Sequence, residues 1–123
     1  MMSGIRGKNT RPEQLVRSYL HRAGLRFRLH SRAIEGTPDI VLAGRRVLVF
    51  VHGCFWHRHA GCSKSYSPKS NVQFWRAKFD ENVRRDQRTA RALKRAGWRV
   101  LVVWECQTSE RQLARLAREI RKG

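Results

Sequence analysis

Val47-Leu48-Val49-Phe50-Val51-His52-Gly53-Cys54-Phe55-Trp56-His57-Arg58-His59-Ala60-Gly61-Cys62 is the stretch whose reading decides the fold. Its five leading apolar residues, three of them Val, suit a central strand covered on both faces. The strand runs straight into His, Cys and aromatic residues, so reactive groups are carried at the end of a rigid element.

Upstream, Ala43-Gly44-Arg45-Arg46 reads as a tight turn, and Glu35-Gly36-Thr37-Pro38-Asp39-Ile40-Val41-Leu42 as a turn entering a second strand. Leu25-Arg26-Phe27-Arg28-Leu29 alternates apolar and basic residues, the period of a strand with one buried and one wet face. These three strands form an antiparallel meander. Asp39, fixed behind Pro38, then falls at the sheet edge beside the end of its hairpin partner, although a plain turn aspartate fits the same position. Further upstream, Thr10-Arg11-Pro12-Glu13 is a helix start with Thr10 as N-cap and Glu13 at the capping-box position. Leu15, Val16, Tyr19, Leu20 and Ala23 make its apolar face, and Gly24 ends it. Glu13 keeps two readings, a cap or a carboxylate near a metal.

Downstream of Cys62 a polar, basic loop leads to a long helix from about Phe74 to Ala96. Phe79, Val83, Asp86, Ala90 and Leu93 fall on one stripe of it, which puts a carboxylate on the apolar face. Such a group is costly unless paired, so Asp86 is expected to meet a cation, a metal or a histidine, a structural Arg pair being the plainer version. Gly97 closes the helix, and Trp98 to Trp104 reads as another buried strand, parallel to the third because a helix crosses between them. Leu113, Leu116, Ala117 and Ile120 mark a last amphipathic helix. The expected fold class is α/β, a mixed central sheet flanked by helices.

The chain has 123 residues, read as a basic arm over 1–9 and a single domain over 10–123. Lys and Arg number 27 against 9 Asp and Glu, a net charge of +18, which points to a polyanion. The basic residues are spread along the whole chain and not gathered in one amphipathic helix, which favours nucleic acid over a membrane surface. No stretch reads as a membrane span or signal peptide, so a cytoplasmic, nucleoid-associated protein is expected. An odd set of three cysteines argues against a disulfide framework. Cys54, His59 and Cys62 instead have the spacing C-x4-H-x2-C, and Cys106, at the end of the strand beside the third, supplies a fourth soft ligand. Four protein ligands close a zinc coordination sphere, which makes that zinc structural; three buried free thiols are the alternative.

The runs Val51-His52-Gly53-Cys54-Phe55-Trp56-His57, Asn82-Val83-Arg84-Arg85-Asp86 and Gly97-Trp98-Arg99-Val100-Leu101-Val102-Val103-Trp104-Glu105-Cys106 together resemble the very-short-patch-repair (Vsr) DNA mismatch endonucleases, over nearly the whole chain from about Ile5. The resemblance implies a restriction-endonuclease-like three-layer fold and a nick in one strand of double-stranded DNA, 5′ to the thymine of a T:G mismatch. It implies that Asp39 binds magnesium, that His52 takes the place of that fold's usual lysine, and that His57 transfers a proton with Asp86 orienting it. Glu13 would support the metal's water shell, and Cys54, His59, Cys62 and Cys106 would bind zinc. Phe55, Trp56 and Trp75 match the aromatics that wedge into the base stack. Val51 stands where the family commonly has Thr, and keeps the backbone carbonyl without the hydroxyl. Magnesium takes oxygen ligands and keeps several waters, so Asp39, the Val51 carbonyl and phosphate oxygens suffice to hold it. The expected enzyme is a monomer, with mismatch-repair proteins as further partners. Two other readings stand beside it. One is a related nuclease of other specificity, in restriction or mobile-element defence; the other is a zinc-stapled DNA-binding protein without catalysis, against which Asp39, His57 and Asp86 argue.

Overall fold

The computed structural model describes residues 10–30, 33–54, 57–59, 61–62 and 66–122. The elements are α1 (Arg11–Arg22), β1 (Arg28–Leu29), β2 (Ile40–Leu42), a 3-10 turn (Ala43–Arg45), β3 (Val47–His52), α2 (Val72–Arg95), β4 (Arg99–Trp104) and α3 (Glu110–Lys122). They form one four-stranded sheet in the order β1-β2-β3-β4. The meander β1-β2-β3 is antiparallel, and β3 pairs β4 in parallel from Val47↔Arg99 to His52↔Trp104. The α2 crossover between them is what permits parallel pairing.

Side chains alternate across the sheet, and this splits the core in two. Ile40, Leu42, Val47 and Val49 face a cluster with Val16 and Leu20 of α1 and Leu113, Leu116, Ala117 and Ile120 of α3. Val41 and Leu48 point the other way, against Leu93 of α2 with Phe50, Trp98 and Val100 around them. The architecture is therefore three-layered, α1 and α3 on one face and α2 on the other. Val47, Leu48 and Val49 are fully buried, and truncating Leu48 to Ala would cost about 2–5 kcal/mol.

Helix ends follow the sequence signals. The Glu13 N–H donates to Thr10 Oγ1 at 3.4 Å, and Gly24 leaves α1 with φ +83°. Gly97 leaves α2 with φ +97°, and a Cβ there would lie 3.1 Å from the Arg46 guanidinium. That guanidinium donates to the Ala96 carbonyl at 2.8 Å and stacks over Trp98 at 4.2 Å, tying the β2–β3 turn to the end of α2.

Two expectations change. The first strand is only Arg28–Leu29, both exposed. Leu25 instead stays against α1, its N–H bonded to the Leu20 carbonyl, and Phe27 packs on the α1–α3 core. The last strand is a sheet edge, and Val102 at its centre is 42% exposed, so it is not covered on both faces. Among the described residues no helix is long and apolar enough to cross a membrane. The basic arm over 1–9 lies outside the described residues.

Candidate active site and metal centre

The β2–β3 register builds the first part of the site. Ile40 pairs with Val49, so Asp39 is carried past the last pair to the open end of the sheet. There its Oδ2 accepts the Val51 N–H at 2.7 Å. A strand residue presents its N–H and C=O to the same edge, so the Val51 carbonyl faces the Asp39 side as well. The β1–β2 pairing Leu29↔Ile40 brings in His30, whose N–H donates to the Asp39 carbonyl at 3.0 Å. From the opposite layer Glu13 enters, 1% exposed. Its Oε2 accepts from His30 Nε2 at 2.5 Å, with Arg17 at 3.6 Å. Thr10 caps α1, and the Glu13 carboxylate is turned into the site.

Glu13, His30 and Asp39 offer ligand atoms that all lie within 4.8 Å of one another. Burial pushes the Asp39 carboxyl up to about 6. The Val51 hydrogen bond opposes that rise, the Glu13 charge adds to it, and charge on His30 and His57 opposes it. Two carboxylates this close are best relieved by a cation, and an oxygen-rich site with a neighbouring carbonyl suits a hard divalent ion.

The end of β3 and the middle of α2 build the second part. His57 Nδ1 donates to Asp86 Oδ2 at 2.5 Å, so the carboxylate on the apolar stripe of α2 does meet a histidine. Burial disfavours ionisation of Asp86, but the hydrogen bond and charge of His57, with the charges of His52 and Arg85, outweigh it and hold the carboxyl below its ordinary value. The His52 and His57 rings stack at 3.9 Å with 6° between their planes, and Trp104 stands edge-on to His52 at 5.2 Å. Burial first, and then charge on His57, push the His52 imidazole down to about 4; Asp86 opposes them. His52 is thus neutral near pH 7, and of the stacked pair only His57 has a carboxylate on its ring nitrogen.

The third cluster is soft. Cys54, His59, Cys62 and Cys106 bring four ligand atoms within 4.8 Å of one another. His59 Nδ1 lies 3.5 Å from Cys54 Sγ and 3.4 Å from Cys106 Sγ, and the Cys62 and Cys106 sulfurs are 3.8 Å apart. A tetrahedron with Zn–S of about 2.3 Å and Zn–N of about 2.0–2.1 Å has S···S edges near 3.8 Å and S···N edges near 3.6 Å. The donor set fits zinc. Burial, with the neighbouring thiols adding to it, pushes the Cys54 thiol up to about 12, so a metal ion is what would hold it as thiolate. Glu105 Oε1 accepts the Cys54 N–H at 2.9 Å and His59 stacks on Trp104 at 4.3 Å, which fixes the ligands from behind.

Of the expected wedge, Phe55 and Trp56 lie outside the described residues. Trp75 is half-buried on α2, stacked on Phe79 at 5.7 Å, and lines an open groove with Arg58, Arg76 and Arg84. The Arg58 guanidinium covers the other ring of that stack, 3.9 Å from the Phe79 centroid. Sequence reasoning missed His30. Its signal was available, since a hairpin pairing Leu29 with Ile40 sets His30 opposite Asp39.

A family model described as DNA mismatch endonuclease Vsr matches residues 1–64. The chain is 54% identical over 110 residues to the type II nicking enzyme V.XorIIP of Xanthomonas oryzae, covering 89% of this chain and 80% of that protein. It is 42% identical over 126 residues to the type II nicking enzyme V.NmeAIP of Neisseria meningitidis, with 98% and 89% covered. It is 40% identical over 111 residues to the DNA mismatch endonuclease Vsr of Escherichia coli, with 90% and 70% covered. In fold it is similar to the catalytic domain of the homing endonuclease I-Bth0305I, at a TM-score of 0.56, 22% identity and 93% of each chain.

Proposed function

Since this chain belongs to the DNA mismatch endonuclease Vsr family and is a DNA-nicking nuclease, we propose that it nicks one strand of duplex DNA 5′ to the thymine of a T:G mismatch, with magnesium as the catalytic ion. The observation that carries the reading is the meeting of two half-sites at the end of β3: Asp39 bonded to the Val51 N–H at 2.7 Å, and His57 bonded to Asp86 at 2.5 Å.

Asp39 and the Val51 carbonyl would hold the magnesium, with Glu13 behind them. When bound, the ion neutralises charge on the scissile phosphate and the leaving oxygen. With its Nδ1–H donated in a hydrogen bond to Asp86, His57 presents Nε2 as the basic nitrogen, which takes the proton of the attacking water while the phosphorus–oxygen bond to the leaving strand breaks. Neutral His52, stacked on His57, adds no competing positive charge and keeps the ring in plane. Zinc on Cys54, His59, Cys62 and Cys106 would have no open position, and would brace the loop that carries His57. Phe55, Trp56 and Trp75 would enter the base stack at the mismatch, and the surplus of Lys and Arg would hold the phosphates. A monomer suffices to cut one strand.

The relatives called type II nicking enzymes favour a second reading, a nick at another site. The test is a nicking assay on labelled duplexes that are matched or carry one T:G pair, with magnesium or EDTA. Cutting of one strand at T:G only, with magnesium only, is expected. Equal cutting of matched DNA would shift the choice to the second reading, and cutting in EDTA would remove the ion from the proposal.

A further inference from the structure

His30 has no role in the reaction as so far described, yet its place is specific. It follows β1, opposite Asp39 in the hairpin register, and its backbone N–H is bonded to the Asp39 carbonyl at 3.0 Å. Its φ is +47°, the left-handed region that a side chain with a Cβ seldom occupies. Unfavourable backbone of this kind persists where the surroundings hold it, and it gathers at working sites. The conformation aims the imidazole across the sheet end at Glu13, where Nε2 and Oε2 are 2.5 Å apart. Glu13 is the one buried charged side chain among the described core residues, 1% exposed. In this pair the imidazole Nε2–H is the donor and the carboxylate oxygen the acceptor.

We propose that His30 is a positioning residue for the catalytic cation: by donating Nε2–H to Glu13 Oε2 it keeps that carboxylate turned towards Asp39, and thereby sets the affinity of the site for a divalent ion. The proposal rests on the assignment of Asp39 as the magnesium carboxylate. It differs from direct ligation, in which the imidazole nitrogen would itself bind the ion. Arg17, 3.6 Å from the same oxygen and itself partly exposed, adds charge there. Groups that orient a metal-binding carboxylate commonly alter metal affinity by about 10–100-fold when removed.

The test titrates Mn²⁺ into the purified chain and follows loss of the free-ion paramagnetic signal, which reads binding without any nicking. His30→Leu should weaken Mn²⁺ binding by about 10–100-fold. His30→Gln, which keeps an N–H donor of similar reach, should recover most of that loss. In both variants the magnesium concentration that gives half-maximal nicking should rise in step with the loss of Mn²⁺ affinity. If His30→Leu does not fold, His30→Asn, too short to reach Glu13, takes its place. Unchanged Mn²⁺ binding in the folded variant would overturn the inference. So would a His30→Gln protein as weak as His30→Leu, since the imidazole would then be a ligand. Asp39→Asn tests the underlying assignment separately: if it too leaves Mn²⁺ binding unchanged, the ion lies elsewhere and the reading of the site falls, whatever His30 does.

Discussion

Two clusters sit side by side at the end of β3 and differ in nearly every respect that matters. Cys54, His59, Cys62 and Cys106 are soft ligands with separations that match a filled tetrahedron. Glu13 and Asp39, with His30 hydrogen-bonded to Glu13, form a mostly hard cluster beside a stacked His52–His57 pair, and a hard divalent ion held by so few protein groups would keep waters and phosphate oxygens. On the proposed reading the soft cluster would hold a shape and the hard one would leave a position open. On that reading a single strand end would serve a brace and a reaction centre, with the soft ligands on both sides of His57 in the sequence.

The comparison breaks most visibly at Asp39. Asp39→Ala should lower magnesium-dependent nicking by about 10³-fold or more while leaving DNA binding in place, because binding rests on basic and aromatic groups. Undiminished nicking by that variant, with normal filter binding, would show that the hard cluster is not the reaction centre. Next in size is His57→Ala, expected to slow single-turnover cleavage by roughly 10²–10⁴-fold. Asp86→Asn should impair the same step, and the double variant should be no worse than His57→Ala, since an orienting carboxylate has nothing left to orient. Losses that multiply would mean that the two act independently.

The soft cluster should respond in stability and not in rate. Cys106→Ser is expected to lower the denaturant midpoint by an amount worth about 2–5 kcal/mol and to release zinc to a colorimetric chelator. Folded variant at low temperature should nick at close to the parent rate. A parent protein purified without zinc and equally stable would remove the brace from this comparison.

The smallest effect is in pH. Asp39 has its carboxyl raised from 3.8 to about 6, so the folded state holds that proton more tightly and stability falls as pH rises through this window. His52 has its imidazole lowered from 6.5 to about 4, so the folded state holds that proton less tightly and stability rises over nearly the same window. The two trends oppose each other, each amounting to a total change on the order of 3 kcal/mol across its window. In magnesium-free buffer, Asp39→Asn should therefore gain stability between pH 4 and about 6.5 relative to its own value at pH 4, and His52→Gln should lose it between pH 4 and 6. Urea midpoints at three pH values check both signs, and parallel profiles would show that neither group is perturbed as described.

Much of this was legible in the chain. Three of the four soft ligands stand within Cys54 to Cys62, and β3, α1, α2 and α3 follow from apolar runs and periodicity within single segments. Asp86 declared itself because a carboxylate on an apolar stripe needs a partner. These are local signals, and local signals survive without a fold. The first strand was read too long because Leu25 and Phe27 are claimed by the α1–α3 core, and β4 was read as covered because apolar runs do not say which strand is the edge.

What the sequence by itself determined is the inventory and its spacing: a basic α/β chain, a Cys3His set, His52 and His57 beside it, and an acid ahead of a strand. The tertiary structure decided the assembly. Glu13 was balanced between a cap and the site, and the structure sets its buried carboxylate against His30, 17 residues away. His30 gained meaning only when the hairpin register set it opposite Asp39, and His52 lost its charge only when burial and the stacked His57 made that charge costly. The physical reason is common to all three. Periodicity is fixed within an element, whereas register, burial and the meeting of groups from different layers are properties of the packed whole, where moving a strand by one residue turns every side chain to the other face.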